Sequence, residues 1–349
     1  MRISRLTLLG ILVGAAVPTV AAQGVDHFTI NGNTVAIFNL AGRAEIVTGS
    51  GNAVAVTVTR GGADAKALRV EQGSRDGVND LRAVYPDHDL VYPPLGRWER
   101  TTVHYDRDGY FEGDHDRGGS RIRIAGSGSG TEAWADLRIE VPAGKSLALH
   151  LAVGDAVATN VKGRLKIDVA SSKVRAHGIE GALTIDGGAG HVIVEDMSGE
   201  TSIDVGSGGV ELNNVTGSSL KVDAGSGGIR GSLLTLTSLS VDVGSGGVTL
   251  DRVTAEKAGV DAGSGSVRLE FLNSPKSLTV DTGSGGATIT FPASLSATID
   301  IETGSGGISN DFPVQLTRVE RRALHGRIGA GDGHITIETG SGGVELRRK

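Results

Sequence analysis

Apolar and polar residues alternate with a period of two along the second half of the chain, a pattern typical of half-buried β-strands. Leu220, Val222 and Ala224 share one face of such a segment. In most copies a glycine-rich turn and a second short alternating segment follow, as at residues 248–250. The pattern therefore predicts a repeating unit made of a strand, a glycine turn, a second strand and a looser turn.

The unit recurs in a constant register from about residue 168 onward. An acidic residue stands two positions before each turn, and the copies are Asp168, Asp186, Asp204, Asp223, Asp242, Asp261, Asp281, Glu302 and Glu338. Successive acids are 18 to 21 residues apart, except for a last interval of 36 that we interpret as two periods. Gly-Ser-Gly-Gly or Gly-Ser-Gly-Ser follows seven of these nine acids. Self-similarity at a fixed period indicates a repeat architecture.

Two short strands cannot bury an apolar face alone, so each unit must stack on its neighbours. The sequence predicts an all-β fold, a β-solenoid with rungs of about 19 residues stacked at the strand spacing of about 4.8 Å. Glycine suits the turns because they reach positive φ and because the backbones of stacked turns approach closely. An antiparallel sandwich or roll of hairpins is the alternative, since glycine-rich turns also join hairpins. The near-constant spacing favours the solenoid.

The repeated acids point away from the core in this pattern. Stacking would place like charges about 5 Å apart, at a cost of about 1 kcal/mol for each neighbouring pair in water. One interpretation is that each carboxylate accepts hydrogen bonds from the N–H groups of the following turn. The other is a row of Ca²⁺ sites, because hard oxygen ligands suit this ion. We favour the structural interpretation and expect no resident cofactor, because calcium-binding nonapeptide repeats are shorter and place Asp after the glycines.

The composition changes near residue 134, and nine of the 12 aromatic residues lie at or before that position. We divide the chain into a strand-rich N-terminal section at 23–135 and a repeat domain at 136–349. An irregular insertion is expected near residues 85–120. Tyrosine and tryptophan are common contact residues in interfaces. The candidates for a partner-binding patch are Tyr85, Tyr92, Trp98, Tyr105 and Tyr110.

The same insertion contains side chains that bind metals. Zn²⁺ and Mn²⁺ accept imidazole and carboxylate ligands, and the candidate ligands are His88, His104, His115, Asp114 and Asp116. Neighbouring side chains of an extended segment point in opposite directions, so an Asp-His-Asp triplet rarely supplies three ligands to one ion. A solvated loop is therefore the favoured interpretation of this segment.

Composition and charge exclude several classes of function. The chain has 34 Lys and Arg against 40 Asp and Glu, a net charge of −6. A nucleic-acid-binding protein needs a basic stripe and, for single strands, aromatic stacking platforms, so nucleic acid is not an expected partner. The absence of cysteine from the sequence excludes disulfides and thiolate metal sites. The sequence motifs of serine hydrolases, zinc proteases and P-loop nucleotide-binding proteins are also absent, and we expect no enzymatic activity.

Residues 1–22 have the pattern of a secretory signal peptide. Two arginines precede a short apolar run, and small residues stand before Gln23. We expect cleavage at this point and an extracytoplasmic location, in the periplasm or outside the cell. No later stretch approaches the ~20 apolar residues of a membrane-spanning helix, so no integral membrane span is expected after cleavage.

The leader, the segment 39–46, the repeated Val-Asp-x-Gly-Ser-Gly-Gly-Val units and the closing segment 326–344 resemble the bacterial "putative adhesin" family of β-strand-repeat proteins, a domain of unknown function. The resemblance implies an extracytoplasmic β-solenoid and suggests adhesion, with some relatives associated with envelope-stress systems. It supplies no catalytic residues.

We therefore expect a non-enzymatic adhesin or cell-envelope scaffold that binds a surface, a glycan or a protein. One alternative is a carbohydrate-active β-helix enzyme, which needs a charged cluster and aromatic sugar platforms. After residue 134 the aromatic residues are only Phe271, Phe291 and Phe312, which disfavours this alternative. The other alternative is a calcium-stabilised module associated with envelope stress.

Overall fold

The computed structural model describes residues 24–86, 88–111 and 120–349. These residues form an all-β fold without an α-helix; two short 3-10 turns lie at Ala65–Ala67 and Pro93–Leu95. One sheet contains 22 strands and a second contains three. Within the described ranges, no helix has the length and apolar character needed to span a membrane. The predicted leader and residues 112–119 of the insertion lie outside the described residues.

In chain order the strands are β1 (Val25–Ile30), β2 (Thr34–Gly49), β3 (Val54–Gly61), β4 (Arg69–Arg75), β5 (Val78–Val84), β6 (Leu90–Val91), β7 (Arg100–Tyr105), β8 (Ser120–Ala125), β9 (Trp134–Pro142), β10 (Lys145–Thr159), β11 (Lys162–His177), β12 (Glu180–Ala189), β13 (Val192–Ser207), β14 (Val210–Ala224), β15 (Ile229–Val243), β16 (Val248–Ala262), β17 (Val267–Phe271), β18 (Ser277–Thr282), β19 (Ala287–Phe291), β20 (Ala297–Thr303), β21 (Ile308–Asn310), β22 (Gln315–Glu320), β23 (Ala323–Ile328), β24 (Gly333–Thr339) and β25 (Val344–Arg348).

The repeated strands pair in parallel and in register. From β10 to β16 each strand pairs in parallel with the next strand along the chain. Asp204 lies opposite Asp223, and Asp223 lies opposite Asp242. The predicted all-β class with a large parallel sheet is confirmed, and the parallel pairing excludes antiparallel hairpins for this part of the chain.

The last repeats stack in an order that differs from the order of the chain. β18 pairs with β24, and the other edge of β24 pairs with β20, so that Glu338 lies between Asp281 and Glu302. Our interpretation of the 36-residue interval after Glu302 as two consecutive periods is therefore wrong. Instead, β23 runs antiparallel to β20, and the hairpin of β22 and β23 returns the chain so that β24 and β25 insert into the stack.

The N-terminal section continues the same large sheet. β2 pairs in parallel with β10 and on its other edge with β5 and β9. Antiparallel pairs of β1 with β3, β3 with β9, and β4 with β5 close this end. β6, β7 and β8 of the insertion form the separate three-stranded sheet.

The core is a ladder of small apolar side chains in successive repeats. Val222, Val241, Val260, Val280 and Ile337 lie opposite one another in turn, and each is at most 3% exposed. Phe271 and Phe291 stack in the same core with their ring centroids 5.4 Å apart. Thin side chains suffice because each strand pair lies directly under the next, which leaves little volume between layers.

The glycine turns also stack. A β-carbon on Gly246 would lie 2.0 Å from the carbonyl oxygen of Gly227, far inside van der Waals contact. The positive φ that we expected occurs at Gly190 and Gly208 but not at Gly227 or Gly246. In the later turns glycine is therefore required by the close approach of two backbones and not by a left-handed conformation.

Candidate functional site

The repeated acids form one continuous column on the surface of the large sheet. Along the stack the order is Asp168, Asp186, Asp204, Asp223, Asp242, Asp261, Asp281, Glu338 and Glu302. From Asp186 onward these side chains are exposed, apart from the partly exposed Asp223. The column is therefore a hydrated band of like charge along the length of the repeat.

The N–H groups of the turns have other partners than the carboxylates. Gly225 N–H donates to the carbonyl oxygen of Val205 at 2.9 Å, and Ser226 N–H donates to that of Gly206 at 3.1 Å. Gly244 makes the equivalent bond in the next repeat. These N–H groups therefore do not donate to the acids, because in-register stacking offers them backbone acceptors in the neighbouring repeat. For the remaining N–H groups of the turns our interpretation stays a prediction.

Asp242 shows the electrostatic consequence of this column. Partial burial raises the pKa of its carboxyl group, the neighbouring carboxylates of Asp223 and Asp261 raise it further, and Lys221 opposes the effect. In the described part of the chain, no three histidine or carboxylate side chains are grouped so that they could hold a metal ion. Binding of Ca²⁺ along the column stays an untested alternative.

The insertion covers the beginning of the same column. His150 occupies the acidic position in the repeat before Asp168, and Phe38 occupies it one repeat earlier. The rings of Phe38 and His150 stack with centroids 4.4 Å apart, and Phe111 of the insertion contacts His150 edge-on at 6.4 Å. His150 Nδ1 lies 3.0 Å from Asp168 Oδ2. The side chains of His150 and Asp168 are both buried. The first acid of the column therefore lies in the interior, beneath the insertion.

Three of the five aromatic candidates are interior residues. The Tyr85 hydroxyl donates within 3.0 Å to Asn39 Oδ1 and to the carbonyl oxygen of Ala41, while Tyr85 N–H donates to the hydroxyl of Tyr105 at 2.6 Å. Tyr92 contacts Trp134 edge-on at 5.8 Å. Burial raises the pKa of all three tyrosines. Their rings hold the insertion against the large sheet and are not available at the surface.

Tyr110 is partly exposed but is held by charged neighbours. Its hydroxyl donates to Asp80 Oδ2 at 2.8 Å, and the guanidinium groups of Arg75 and Arg82 lie 4.6 and 4.7 Å from its ring centroid. Burial, followed by the bond to Asp80, raises the pKa of Tyr110 to about 12. This side chain has little freedom to rearrange around a partner.

Trp98 differs from the other candidates because 87% of its surface is exposed. The guanidinium of Arg97 lies 5.4 Å from its ring centroid. The loop that carries both residues is fixed from behind: Ser127 Oγ donates to the Arg97 carbonyl at 2.7 Å, and Gly126 N–H donates to the Glu99 carbonyl at 3.1 Å. A large aromatic side chain is thus displayed to solvent on a loop that two hydrogen bonds connect to residues 126 and 127.

The histidine candidates of the insertion are not brought together with carboxylates in the described residues. His88 and His104 are both exposed, and His104 lies opposite Arg121 in the pair of β7 and β8. Asp114, His115 and Asp116 lie outside the described residues. The predicted site with all five ligands is therefore untested.

Sequence reasoning missed the contact of His150 with Asp168. A signal was present, because His150 precedes Asp168 by 18 residues, the same interval as between Asp168 and Asp186. Extending the register back by one period would have placed a histidine next to the first acid. The contact of Phe111 with His150 had no comparable signal in the sequence, because it depends on how the insertion folds onto the large sheet.

The profile of one protein family matches residues 143–347, which is more than half of the 349 residues. The chain belongs to the Toastrack DUF4097 family. The matched part of this Toastrack protein runs from just before β10 into β25 and so contains all nine acids of the column. The insertion with Trp98 lies outside it. The predicted resemblance to a family of unknown function is confirmed.

Several solved structures are similar to this Toastrack protein at low identity. A "putative adhesin" from Bacteroides fragilis is 10% identical, with 92% of this chain and 95% of that chain covered and a TM-score of 0.37. A "putative lipid binding protein" from Parabacteroides distasonis is 13% identical, with 93% and 98% covered and a TM-score of 0.36. A "putative cell adhesion protein" from Clostridium sporogenes is 9% identical, with 93% and 99% covered and a TM-score of 0.22. No curated protein sequence matches significantly.

Proposed function

We propose that this Toastrack protein is a non-enzymatic, adhesin-like binding protein that acts outside the cytoplasm. In this proposal residues 1–22 are a cleaved leader, residues 23–135 form the section with the insertion, and residues 136–349 form a β-solenoid with rungs of about 19 residues. The solenoid is the rigid support, and the insertion presents Trp98 to a surface, a glycan or a protein partner.

The exposure of Trp98 is the observation that carries this proposal. Tryptophan and arginine are the residues most often found at the energetic centre of protein interfaces. An 87% exposed indole beside the Arg97 guanidinium leaves a large apolar area in water in the free protein. A partner that covers this ring would remove that area from water without requiring the braced loop to become ordered on binding.

The solenoid part of the proposal is supported by the register of the large sheet. Asp186 pairs with Asp204, and Asp204 with Asp223, so that successive layers are offset by one repeat of the sequence. A non-enzymatic role is supported by the state of the buried polar groups. The hydroxyls of Tyr85 and Tyr105 and the imidazole of His150 are engaged within the protein and serve packing of the insertion.

The test is binding of the purified chain to a glycan array and to immobilised extracellular proteins, with Trp98→Ala compared to wild type. We expect wild type to bind at least one member of the panel and Trp98→Ala to bind it at least tenfold more weakly. Leu272→Ala is the matched control, because Leu272 is 48% exposed but lies outside the insertion. Equal binding by Trp98→Ala and wild type would refute the role of Trp98, and no binding to any member would refute adhesion.

A separate experiment tests the proposed extracytoplasmic location of the protein. Residues 1–22 fused to a phosphatase that is active only after export should give an active, exported enzyme whose N-terminus lacks the leader. Retention of an inactive fusion in the cytoplasm would contradict an extracytoplasmic location.

The alternative of a calcium-stabilised module is tested by melting curves. A ligand that binds only the folded state raises the melting temperature by mass action. Because we propose no resident cofactor, we expect the same midpoint with added Ca²⁺ and with chelator. A clear rise with Ca²⁺ would instead favour occupation of the acidic column.

A further inference from the structure

The C-terminal end of the stack is covered unevenly. In the last layer β20 is covered by β23 of the terminal hairpin. The other strand of that layer, β21, pairs with β25 on one edge, and no described strand pairs with its second edge. Residues 311–314 connect β21 to β22 beside this open edge. The hairpin therefore closes one half of the end and leaves the other half accessible.

A cavity of about 370 Å³ lies at this end of the stack. The apolar side chains of Ile308, Phe312, Val314, Leu316 and Leu324 line it together with polar groups that include Asn310, Glu320 and Arg321. Phe312 is buried, whereas Leu316 is 55% exposed. The open cavity thus has one buried aromatic side chain and one apolar side chain that is in contact with water.

Among the described side chains that line the cavity, one charged group has no ionic partner. The amide of Asn310 is used locally: Nδ2 donates to the Phe312 carbonyl at 2.8 Å, and Oδ1 accepts the Phe312 N–H at 3.1 Å. The Glu320 carboxylate is paired with Arg318. Arg321 also lines the cavity and has no ion pair with a described residue. The cavity therefore combines apolar side chains with one guanidinium that has no ion pair with a described residue.

We propose that this cavity binds a single-chain anionic amphiphile, a free fatty acid, with its chain among Phe312, Leu316 and Leu324 and its carboxylate on Arg321. The volume falls in the range of about 300–1,000 Å³ in which small ligands bind. The hydrocarbon chain of the fatty acid would cover the exposed surface of Leu316 and remove it from water. A guanidinium forms two parallel hydrogen bonds to a carboxylate, which places the head group at the mouth.

The charge pattern favours a free amphiphile over the surface of a membrane. Electrostatic attachment to anionic bilayers uses clusters of about four to eight basic residues. The hairpin of β22 and β23 also carries Arg322 and Arg327, but Arg321 alone among its arginines lines the cavity, and Arg318 is paired with Glu320. The three arginines of the hairpin without an ion pair to a described residue stay below that number. One guanidinium beside a cavity with apolar side chains is complementary in charge to the single carboxylate of a fatty acid. This site is independent of the contact surface around Trp98.

The test is isothermal titration of the purified chain with dodecanoate below its micelle concentration. We expect saturable binding of one dodecanoate per chain and much weaker binding of dodecyltrimethylammonium, which has the same chain and the opposite charge. Arg321→Glu should weaken dodecanoate binding at least tenfold. Val314→Trp, which fills the cavity, should also weaken it. Arg121→Glu, at an exposed arginine on β8, is the control and should bind as wild type.

Three results would overturn the proposal. The first is absence of saturable dodecanoate binding by wild type. The second is equal binding by Arg321→Glu and Arg121→Glu, or equal binding of the cationic and anionic amphiphiles. The third is co-sedimentation with vesicles of anionic phospholipid by a chain that does not bind dodecanoate, which would assign this end to a membrane surface. Circular dichroism of each variant separates loss of binding from loss of folding.

Discussion

Gly246 lies so close to Gly227 of the preceding turn that a β-carbon on Gly246 would be 2.0 Å from the Gly227 carbonyl oxygen. Both atoms that would collide belong to, or are fixed to, the backbone, so no side chain can move to relieve the clash. The spacing of the turns is set by the in-register pairs that flank them, Ala224 with Val243 and Ile229 with Val248. The glycine column is therefore a condition for the layers to stack at their normal distance.

We expect Gly246→Ala to lower the free energy of unfolding by about 3 kcal/mol, the upper part of the range for overpacking. The measurement is the urea midpoint of the purified chain. Gly259→Ala is the matched control on β16, because a β-carbon there would meet no atom within 4 Å. It should be neutral or stabilise by up to about 1 kcal/mol through the unfolded state. Similar losses for both variants would contradict the close-approach argument.

The acidic column predicts a stabilising substitution at Asp242. The pKa of Asp242 is raised in the folded state by burial and by the neighbouring carboxylates of Asp223 and Asp261. A carboxyl group whose pKa rises on folding destabilises the folded state above that pKa, and the destabilisation disappears as the pH falls through it. We expect Asp242→Asn to raise the melting temperature at about pH 7 and to have less effect at about pH 4.

Salt and a paired carboxylate provide the controls for this prediction. In 1 M salt the Debye length falls to about 3 Å, so the gain from Asp242→Asn should shrink. Glu256 has the opposite environment, because Lys276 lowers its pKa, and Glu256→Gln should not stabilise the protein at neutral pH. A gain at Asp242 that is independent of both pH and salt would show that the repulsion is not its cause.

Leu233 carries backbone strain at a corner of the stack. Its φ is +60°, in the left-handed region, and the corresponding corners are formed by Asn214 and Arg252. A left-handed conformation costs an ordinary residue about 1–2 kcal/mol, and asparagine tolerates it better. We expect Leu233→Asn to raise the free energy of unfolding by about 1 kcal/mol. Leu272→Asn, at a similarly exposed leucine without positive φ, should give no gain; an equal gain there would point to surface polarity as the cause.

We expect removal of the Tyr85 hydroxyl to destabilise the folded protein. Tyr85→Phe removes the donor to Asn39 Oδ1 and to the Ala41 carbonyl, which leaves buried acceptors without this partner. Leaving such a group unsatisfied costs about 1–3 kcal/mol, and we expect the free energy of unfolding, measured from the urea midpoint, to fall by that amount. Ser127→Ala is the comparison: its hydroxyl also donates to a carbonyl, that of Arg97, but both residues are exposed, so water can replace the lost bond. A smaller loss for Tyr85→Phe than for Ser127→Ala would contradict the assignment of Tyr85 to the interior.

The repeat was predictable from sequence because its information is local. Alternation fixes which side chains face inward, and the acid and glycine markers fix the register, so Asp204 could be aligned with Asp223 without a structure. The position of Glu338 could not be predicted in the same way. Its repeat has the same markers as those of Asp281 and Glu302, so neighbouring copies are nearly equivalent partners, and the hairpin of β22 and β23 decides the order.

The aromatic residues of the insertion illustrate a second limit. Tyr85 and Trp98 looked alike as contact candidates in the sequence. Tyr85 is buried because its hydroxyl meets Asn39, which is 46 positions away, and no local pattern reports such a partner. Trp98 has no equivalent polar anchor on the described large sheet, and it remains outside.

The insertion of β24 and β25 between earlier repeats has a consequence for the order of folding. β24 and β25 are synthesised after β20, so the layer containing β20 cannot reach its final neighbours before residues 333–348 have been made. A chain truncated after β23 would lack an inner layer of the stack and not its outermost layer. The last layer thus depends on a segment that is synthesised after it.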